Sequence, residues 1–191
     1  MSKNKDRIIL GIDPGTNIMG YGIIHEKGKN IELVSIGIID MHKMNGHFNK
    51  LKHIFDRTLQ LIDGYNPDEL AIEAPFQGKN VQSMLKLGRA QGAAIAAALT
   101  RTIPIFEYAP RKIKLSITGS GAASKEQVAA MLQKILKIKE MPETLDATDG
   151  LAAAMCHYYQ RGSIISDSKC KDWSEYIKKN NIPINEKKRP K

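Results

Sequence analysis

The chain has 191 residues, with 29 Lys and Arg against 20 Asp and Glu, a formal net charge of +9 and a 42% apolar composition. That suits one domain, or one domain plus a tail, with a sizeable core, and rules out a wholly disordered chain. No apolar run approaches the roughly 18 residues of a membrane span. The start, Met1-Ser2-Lys3-Asn4-Lys5, is too polar for a signal peptide, and Cys156 and Cys170 are too few for a disulfide framework or a zinc site. The expectation is a soluble, cytoplasmic protein.

Residues 7–13 form a short apolar run that ends at the turn signal Pro14-Gly15, which predicts a buried strand. Residues 19–25 and 31–40 are two more strand-like runs, and Gly28 and Asn30 between them predict an antiparallel meander. Apolar residues at Phe48, Leu51, Ile54, Phe55, Leu59 and Ile62 recur at helical spacing over 47–65, and Asn66-Pro67-Asp68 closes that helix. A strand over 69–73, a long helix over 80–100 and a last strand over 103–108 follow. Pro110 opens a lysine-rich helical turn, Ser124 and Gln127 predict a capping box for a helix to about 137, and a final helix covers roughly 146–160. From 166 onward the chain is polar and lysine-rich, with one short helix expected near 173–179. The order β-β-β-α-β-α-β-α-α predicts an α/β fold, one mixed sheet flanked by helices.

The charge is unevenly spread. Residues 77–139 carry 11 basic and 2 acidic side chains, a local excess of +9 that equals the excess of the whole chain. A clustered excess suits a polyanionic partner, because Lys and Arg release counterions from phosphates. The other reading is a solvated basic surface kept for solubility. Against this background four acids need a reason. Asp13 ends the first strand and Glu73 the fourth; if these lie side by side and parallel, their ends are about 4.8 Å apart, where catalytic groups of such sheets gather. Asp146 and Asp149 are spaced i, i+3 at the start of the last helix and so share a face.

Singly, Asp13 reads equally well as a turn residue and Asp146 as an N-cap. Together they are four anions where a phosphate backbone would bind, and each close like-charge pair costs roughly 4 kcal/mol at about 4 Å in an effective dielectric of 20. Hard divalent cations remove the conflict: Mg²⁺ takes oxygen ligands and bridges carboxylates to phosphates. Two ions about 3.5–4 Å apart would activate a water on one side of phosphorus and stabilise the leaving oxygen on the other. The pattern reads as a metal-dependent nuclease.

The ordered motifs make the sequence similar to a known family. They are G-I-D-P-G-T at 11–16, E-A-P-F-Q-G-K-N at 73–80, S-M-L-K-L-G-R-A-Q-G at 83–92, A-P-R-K-I-K at 109–114, G-S-G-A-A-S-K-E-Q-V at 119–128 and D-A-T-D-G-L-A-A-A at 146–154. Over about residues 7–162 the chain resembles the RuvC family of bacterial Holliday-junction resolvases. The resemblance implies a ribonuclease H-like fold with a mixed five-stranded sheet, and the nuclease domain is expected over 1–165; the tail over 166–191, expected from its composition to be basic and flexible, matches no family motif. It maps the catalytic, metal-holding tetrad onto Asp13, Glu73, Asp146 and Asp149, with Mg²⁺ as cofactor, two ions per site, and Mn²⁺ as a substitute.

The same resemblance implies symmetric paired nicks in opposed strands of four-way junction DNA, a homodimer, and coupling to a branch-migration motor such as RuvA–RuvB. It makes Phe76 the aromatic that stacks on unpaired bases, with a core side chain as the competing reading. Lys114 and Lys125 match lysines beside the cleaved phosphate; Lys79, Lys86, Arg89, Arg111 and Lys112 are further backbone contacts or plain surface charges. The small residues of 88–98 allow close approach of another helix, within the chain or across a dimer.

Among the remaining residues, His157 is expected to pack or lie on the helix surface rather than reach the site, Cys156 to be a buried thiol, and Cys170 to be exposed. Trp173 either anchors the tail or contacts DNA. Asp13-Pro14-Gly15-Thr16 also resembles the phosphate turn of actin-like ATPases, but 191 residues leave no room for their second lobe. A noncatalytic junction-binding protein would not need four intact acids. A ribonuclease H-like nuclease acting on flaps or RNA–DNA hybrids keeps the chemistry and changes the substrate.

Overall fold

A computed structural model of the chain describes residues 6–28, 30–75, 80–142 and 144–167, the last six as backbone only. Two units are distinguished, Met1–Tyr159 and Gln160–Lys191, and the fold described below is that of the first. The expected short helix near 173–179, Cys170 and Trp173 lie outside the described residues.

The elements are β1 (Arg7–Asp13), β2 (Ile18–Lys27), β3 (Asn30–Asp40), α1 (His47–Tyr65), β4 (Glu69–Glu73), α2 (Val81–Leu99), β5 (Ile105–Tyr108), α3 (Pro110–Thr118), α4 (Lys125–Leu136) and α5 (Asp146–Asp167). Local chemistry sets most of their ends. The Asn80 side chain accepts from the Ser83 N–H to start α2, Pro110 occupies the first turn of α3, and both halves of the Ser124/Gln127 capping box are formed at α4. Asn66, Gly119 and Lys137 take left-handed conformations that stop α1, α3 and α4.

Several boundaries differ from the sequence reading by a residue or two, β2 for example running 18–27 rather than 19–25. The last strand begins at Ile105 rather than 103, because Thr102 sits at φ 55° and the Ile103 N–H is spent on the Ala98 carbonyl. The final helix continues past 160 to Asp167.

The strands form one sheet in the order β3-β2-β1-β4-β5. β1, β4 and β5 are parallel, while β2 and β3 form the expected antiparallel meander on β1. Alternation along β1 and β4 sorts the core into two layers. Leu10, Ile12, Leu70 and Ile72 pack with Ile54, Leu61, Ala90 and Ala94 of α1 and α2. Ile9 and Ala71 face the other way, toward Ile113 of α3, Val128 and Leu132 of α4, and Leu151–Cys156 of α5.

On that second face α5 lies unusually close to the sheet. A Cβ at Gly11 would come within 2.2 Å of the Gly150 carbonyl oxygen, one at Gly20 within 1.9 Å of the Asp146 carbonyl oxygen, and one at Gly22 within 2.4 Å of Leu151 Cα. Gly11 and Gly22 are register partners, and Gly20 stands opposite Asp13. The strand glycines therefore form a side-chain-free patch onto which the helix backbone settles directly.

Gly22→Ala should destabilise the protein by at least about 1–3 kcal/mol, the usual range for overpacking, measured by urea unfolding. Gly64→Ala in α1, where an added Cβ meets nothing within 4 Å, should instead be stabilising by about 0.5–1 kcal/mol.

Candidate active site

The parallel register of β1 and β4 pairs Ile12 with Ile72, so Asp13 and Glu73 follow side by side at the carboxyl ends of their strands. β5 closes against the same edge, where the Ala74 N–H donates to the Tyr108 carbonyl. Because the first turn of α5 rests over Gly20, opposite Asp13 in register, it delivers Asp146 and Asp149 to this end of the sheet. The four acids are thus brought together from three elements.

Asp13, Glu73 and Asp149 line a cavity of about 460 Å³. Its other walls are Arg111 and Lys114 from α3, Lys125 from α4, and an apolar floor that includes Ile113, Val128 and Ala152. Asp146 is not among the lining residues and its side chain is 39% exposed, but its charge still acts on Asp13. Lys125 Nζ bridges the α5 pair, 3.1 Å from Asp146 Oδ1 and 2.5 Å from Asp149 Oδ2.

Burial, reinforced by the neighbouring charge of Asp149, pushes the Asp13 carboxyl up to about 7. Burial, then Asp13 and Asp149, pushes Glu73 up to about 8. Asp149 is also raised by burial, although the Lys125 hydrogen bond works against that. Burial disfavours the Lys125 charge, but its bonds to Asp149 and Asp146 outweigh this and hold its pKa above the usual lysine value. Burial makes Asp13, Glu73 and Asp149 costly as bare anions; the Lys125 ammonium bonds only Asp146 and Asp149 directly and eases Asp13 and Glu73 through space, without offsetting their burial.

The other candidate residues divide. Lys114 and Arg111 line the cavity, and Arg111 lies across Gly121, where an added Cβ would come within 2.6 Å of its Cγ. Lys112 turns away, its Nζ 5.3 Å from the centre of the Tyr108 ring. Lys86 and Arg89 are exposed on α2 and are not among the residues lining the cavity. Phe76 and Lys79 lie outside the described residues.

His157 packs, as expected. It is fully buried against Phe106, and its Nε2–H donates to Glu69 while Nδ1 accepts from the Tyr108 hydroxyl. The Glu69 contact alone would favour imidazolium. Full burial and the positive charge of Arg7, 4.0 Å from Glu69, prevail and depress its pKa to about 4, so the ring is neutral. Cys156 is buried too.

Sequence reasoning missed two contributors. Gln91, nearly buried in α2, donates from Nε2 to the Glu73 carbonyl at 3.3 Å and ties that helix to the strand end. The glycine patch under α5 was visible only as three glycines in strand-like runs, two of which, Gly20 and Gly22, alternate with larger residues in β2.

A mixed five-stranded sheet flanked by helices, with acids at two adjacent strand ends and on a helix crossing the sheet, defines a ribonuclease H-like nuclease. The family described as crossover junction endodeoxyribonuclease RuvC matches residues 9–157. The chain is 60% identical to the RuvC of Cytophaga hutchinsonii, over 93% of this chain and 88% of that one, and 60% identical to the RuvC of Bacteroides fragilis, over 92% and 95%. Its fold matches Thermus thermophilus RuvC in complex with a Holliday junction substrate, with a TM-score of 0.75 and 29% identity over 81% of this chain and 94% of that one. The chain belongs to the RuvC family. Among the described residues no helix is long and apolar enough to cross a membrane.

The raised carboxyls carry a pH signature in the metal-free protein. A carboxyl whose pKa is raised on folding holds more protons folded than unfolded, so stability falls as pH rises toward the folded pKa. His157, depressed from 6.5 to about 4, contributes in the opposite sense but only below about pH 6.5. In EDTA the melting temperature should therefore fall between pH 6.5 and 8, the interval set by His157 and Glu73. The double variant Asp13→Asn, Glu73→Gln should flatten that slope in thermal melts.

Proposed function

We propose that Asp13, Glu73, Asp146 and Asp149 are the hydrolytic centre with which this chain, a Holliday-junction resolvase by family, cuts opposed strands of four-way DNA junctions at symmetric positions. The observation that carries the reading is the register that sets Asp13 beside Glu73, in one cavity with Asp149 of α5 and with Arg111, Lys114 and Lys125. Hydrolysis in this family depends on a divalent metal ion. Among the described residues the acids are not drawn into a finished metal cage. Their chemistry nevertheless fits one: the donors are all carboxylate oxygens, and a cation, the Lys125 ammonium, already sits between two of them.

Asp13, Glu73, Asp146 and Asp149 would hold Mg²⁺, two ions in the fullest form of this reading, with Mn²⁺ as a substitute. Bound there, the ions supply an activated water and charge stabilisation at the leaving oxygen. The chain's own groups do the rest. Lys114 and Arg111, lining the same cavity from α3, present positive charge to the phosphate, and the apolar lining of Ile113, Val128 and Ala152 lowers the local dielectric, strengthening both contacts. Gln91 keeps the Glu73 backbone in place. Lys86 and Arg89 are left as contacts to the junction arms, and Phe76 as the stacking aromatic at the crossover.

A homodimer with one site per strand is part of this reading. α2 supports it, for Val81, Leu85 and Leu99 are 64%, 51% and 60% exposed, and with the exposed Gly92 and Ala96 they form one apolar stripe. Coupling to a branch-migration motor such as RuvA–RuvB and a cytoplasmic location rest on family membership alone. The basic stretch from 166 onward is proposed as a tail separate from the nuclease domain.

Cleavage of a labelled synthetic four-way junction, beside a matched duplex, a flap and an RNA–DNA hybrid, tests the activity. Symmetric nicks confined to the junction should require Mg²⁺ and disappear in EDTA. Asp13→Asn should slow cutting at least about 100-fold, at or beyond the roughly 10–100-fold cost of losing a mere outer-shell partner, while junction binding persists. Junction binding by the wild type without cutting would favour a noncatalytic binder, and preferential cutting of the flap or hybrid would sink the resolvase assignment.

The paired substitution Leu85→Glu, Leu99→Glu should give a folded monomer by sedimentation equilibrium, one that loses the coordinated second nick.

A further inference from the structure

The basic residues of the cavity are not equivalent. Lys114 and Arg111 line its wall, whereas Lys125 alone among the described basic residues is ion-paired to the α5 acids, bridging both. We propose that Lys125 is a built-in counter-cation: it holds Asp146 and Asp149 in the metal-free protein, must give them up to a divalent ion, and then moves to a phosphate oxygen of the DNA. The inference rests on the metal-binding reading of the four acids.

Three features of the structure support it. An ammonium and a dication drawn to the same two carboxylates repel one another at that range, and the low dielectric of the cavity strengthens the repulsion. The Lys125 backbone is held at the first turn of α4 by the Ser124/Gln127 capping box, but its side chain is 49% exposed on a flexible four-carbon stem. The head group can therefore leave without disturbing the fold. The other carboxylates of the cavity, Asp13 and Glu73, would be claimed by the same ions, and its other charged residues are Lys114 and Arg111, so a phosphate is the partner that completes the exchange.

The consequence is that metal and DNA favour each other's binding. Lys125 weakens metal binding while no phosphate is present, and a phosphate that draws Lys125 away releases both aspartates. By linkage, metal must then tighten DNA binding by the same factor. A free protein would hold its metal loosely and load it fully only on substrate.

The test uses the full chain without DNA and Mn²⁺ as the probe, with free Mn²⁺ followed by electron paramagnetic resonance. Lys125→Met, which keeps the side-chain length and removes the charge, should bind Mn²⁺ at least tenfold more tightly than wild type, and Lys125→Arg should bind no more tightly than wild type. Equal or weaker binding by a cooperatively melting Lys125→Met overturns the proposal and leaves the metal site standing. Absence of Mn²⁺ binding by either protein removes the metal reading and the proposal with it. A second measurement needs no folded Met variant. With lysines ¹³C-methylated and the Lys125 signal assigned by its loss in Lys125→Arg, saturating Mg²⁺ should shift that resonance in wild type toward those of exposed lysines. An unmoved signal overturns the exchange.

Discussion

The site depends on how closely α5 can approach the sheet. Helices normally pack on sheets through intervening side chains, yet here Gly11, Gly20 and Gly22 let the backbone at Asp146, Gly150 and Leu151 rest almost on the strands. The helix contributes a glycine of its own: an added Cβ at Gly150 would lie 2.5 Å from Tyr21 Cα. If β1 or β2 carried side chains at these points, the helix would lift and carry Asp146 and Asp149 away from Asp13. The geometry of the candidate site is in that sense a packing result, set by absent side chains, and the alanine-rich run Ala152–Ala154 extends the same close contact along the buried length of α5.

Bringing the acids together creates the electrostatic problem that organises the rest of the cavity. Burial raises Asp13 and Glu73; the charge of Asp149 raises both further, and Asp13, at the neighbouring strand end, adds to the rise at Glu73. The fold meets this with positive charge from two helices: α3 contributes Arg111 and Lys114 to the cavity lining, and α4 contributes Lys125, which bonds directly to Asp146 and Asp149. The result is a cavity lined by both acids and bases. Such a lining can accept a phosphodiester only if cations screen the acids, which is why the all-oxygen donor set and the basic residues suit a single chemistry.

The far end of the same core shows the opposite use of charge. His157, on α5, Glu69 at the start of β4 and Tyr108 at the end of β5 form a buried chain of hydrogen bonds, with Arg7 and Glu26 beside it. Here both ring nitrogens of the histidine are paired and it is kept neutral, so the network fixes the position of α5 against β4 and β5. An i, i+8 step along one helix separates this structural site from the candidate catalytic one.

Much of this was legible in the residues. Hydrophobic period, caps and turn residues act over a few positions, and so the strands, the helices, the Ser124/Gln127 box and the mixed sheet could be read along the chain. The four acids could be read too, because each stands at the end of an apolar element where a charge needs a reason, and the motifs around them are ordered. What the sequence could not decide were contacts between positions far apart in the chain. Lys125 reaches Asp146 and Asp149 across 21 and 24 residues, Gln91 reaches the Glu73 backbone across 18, and Lys112 turns to Tyr108 while its neighbour Arg111 stays in the cavity. Within a strand Gly22 reads as a weakness, and only the helix lying over it turns that weakness into a requirement. The sequence determined the elements, their order and the identity of the acids, since these follow from short-range patterning. The tertiary structure decided which cation meets which anion and how near, since those depend on distances between elements that no local pattern encodes.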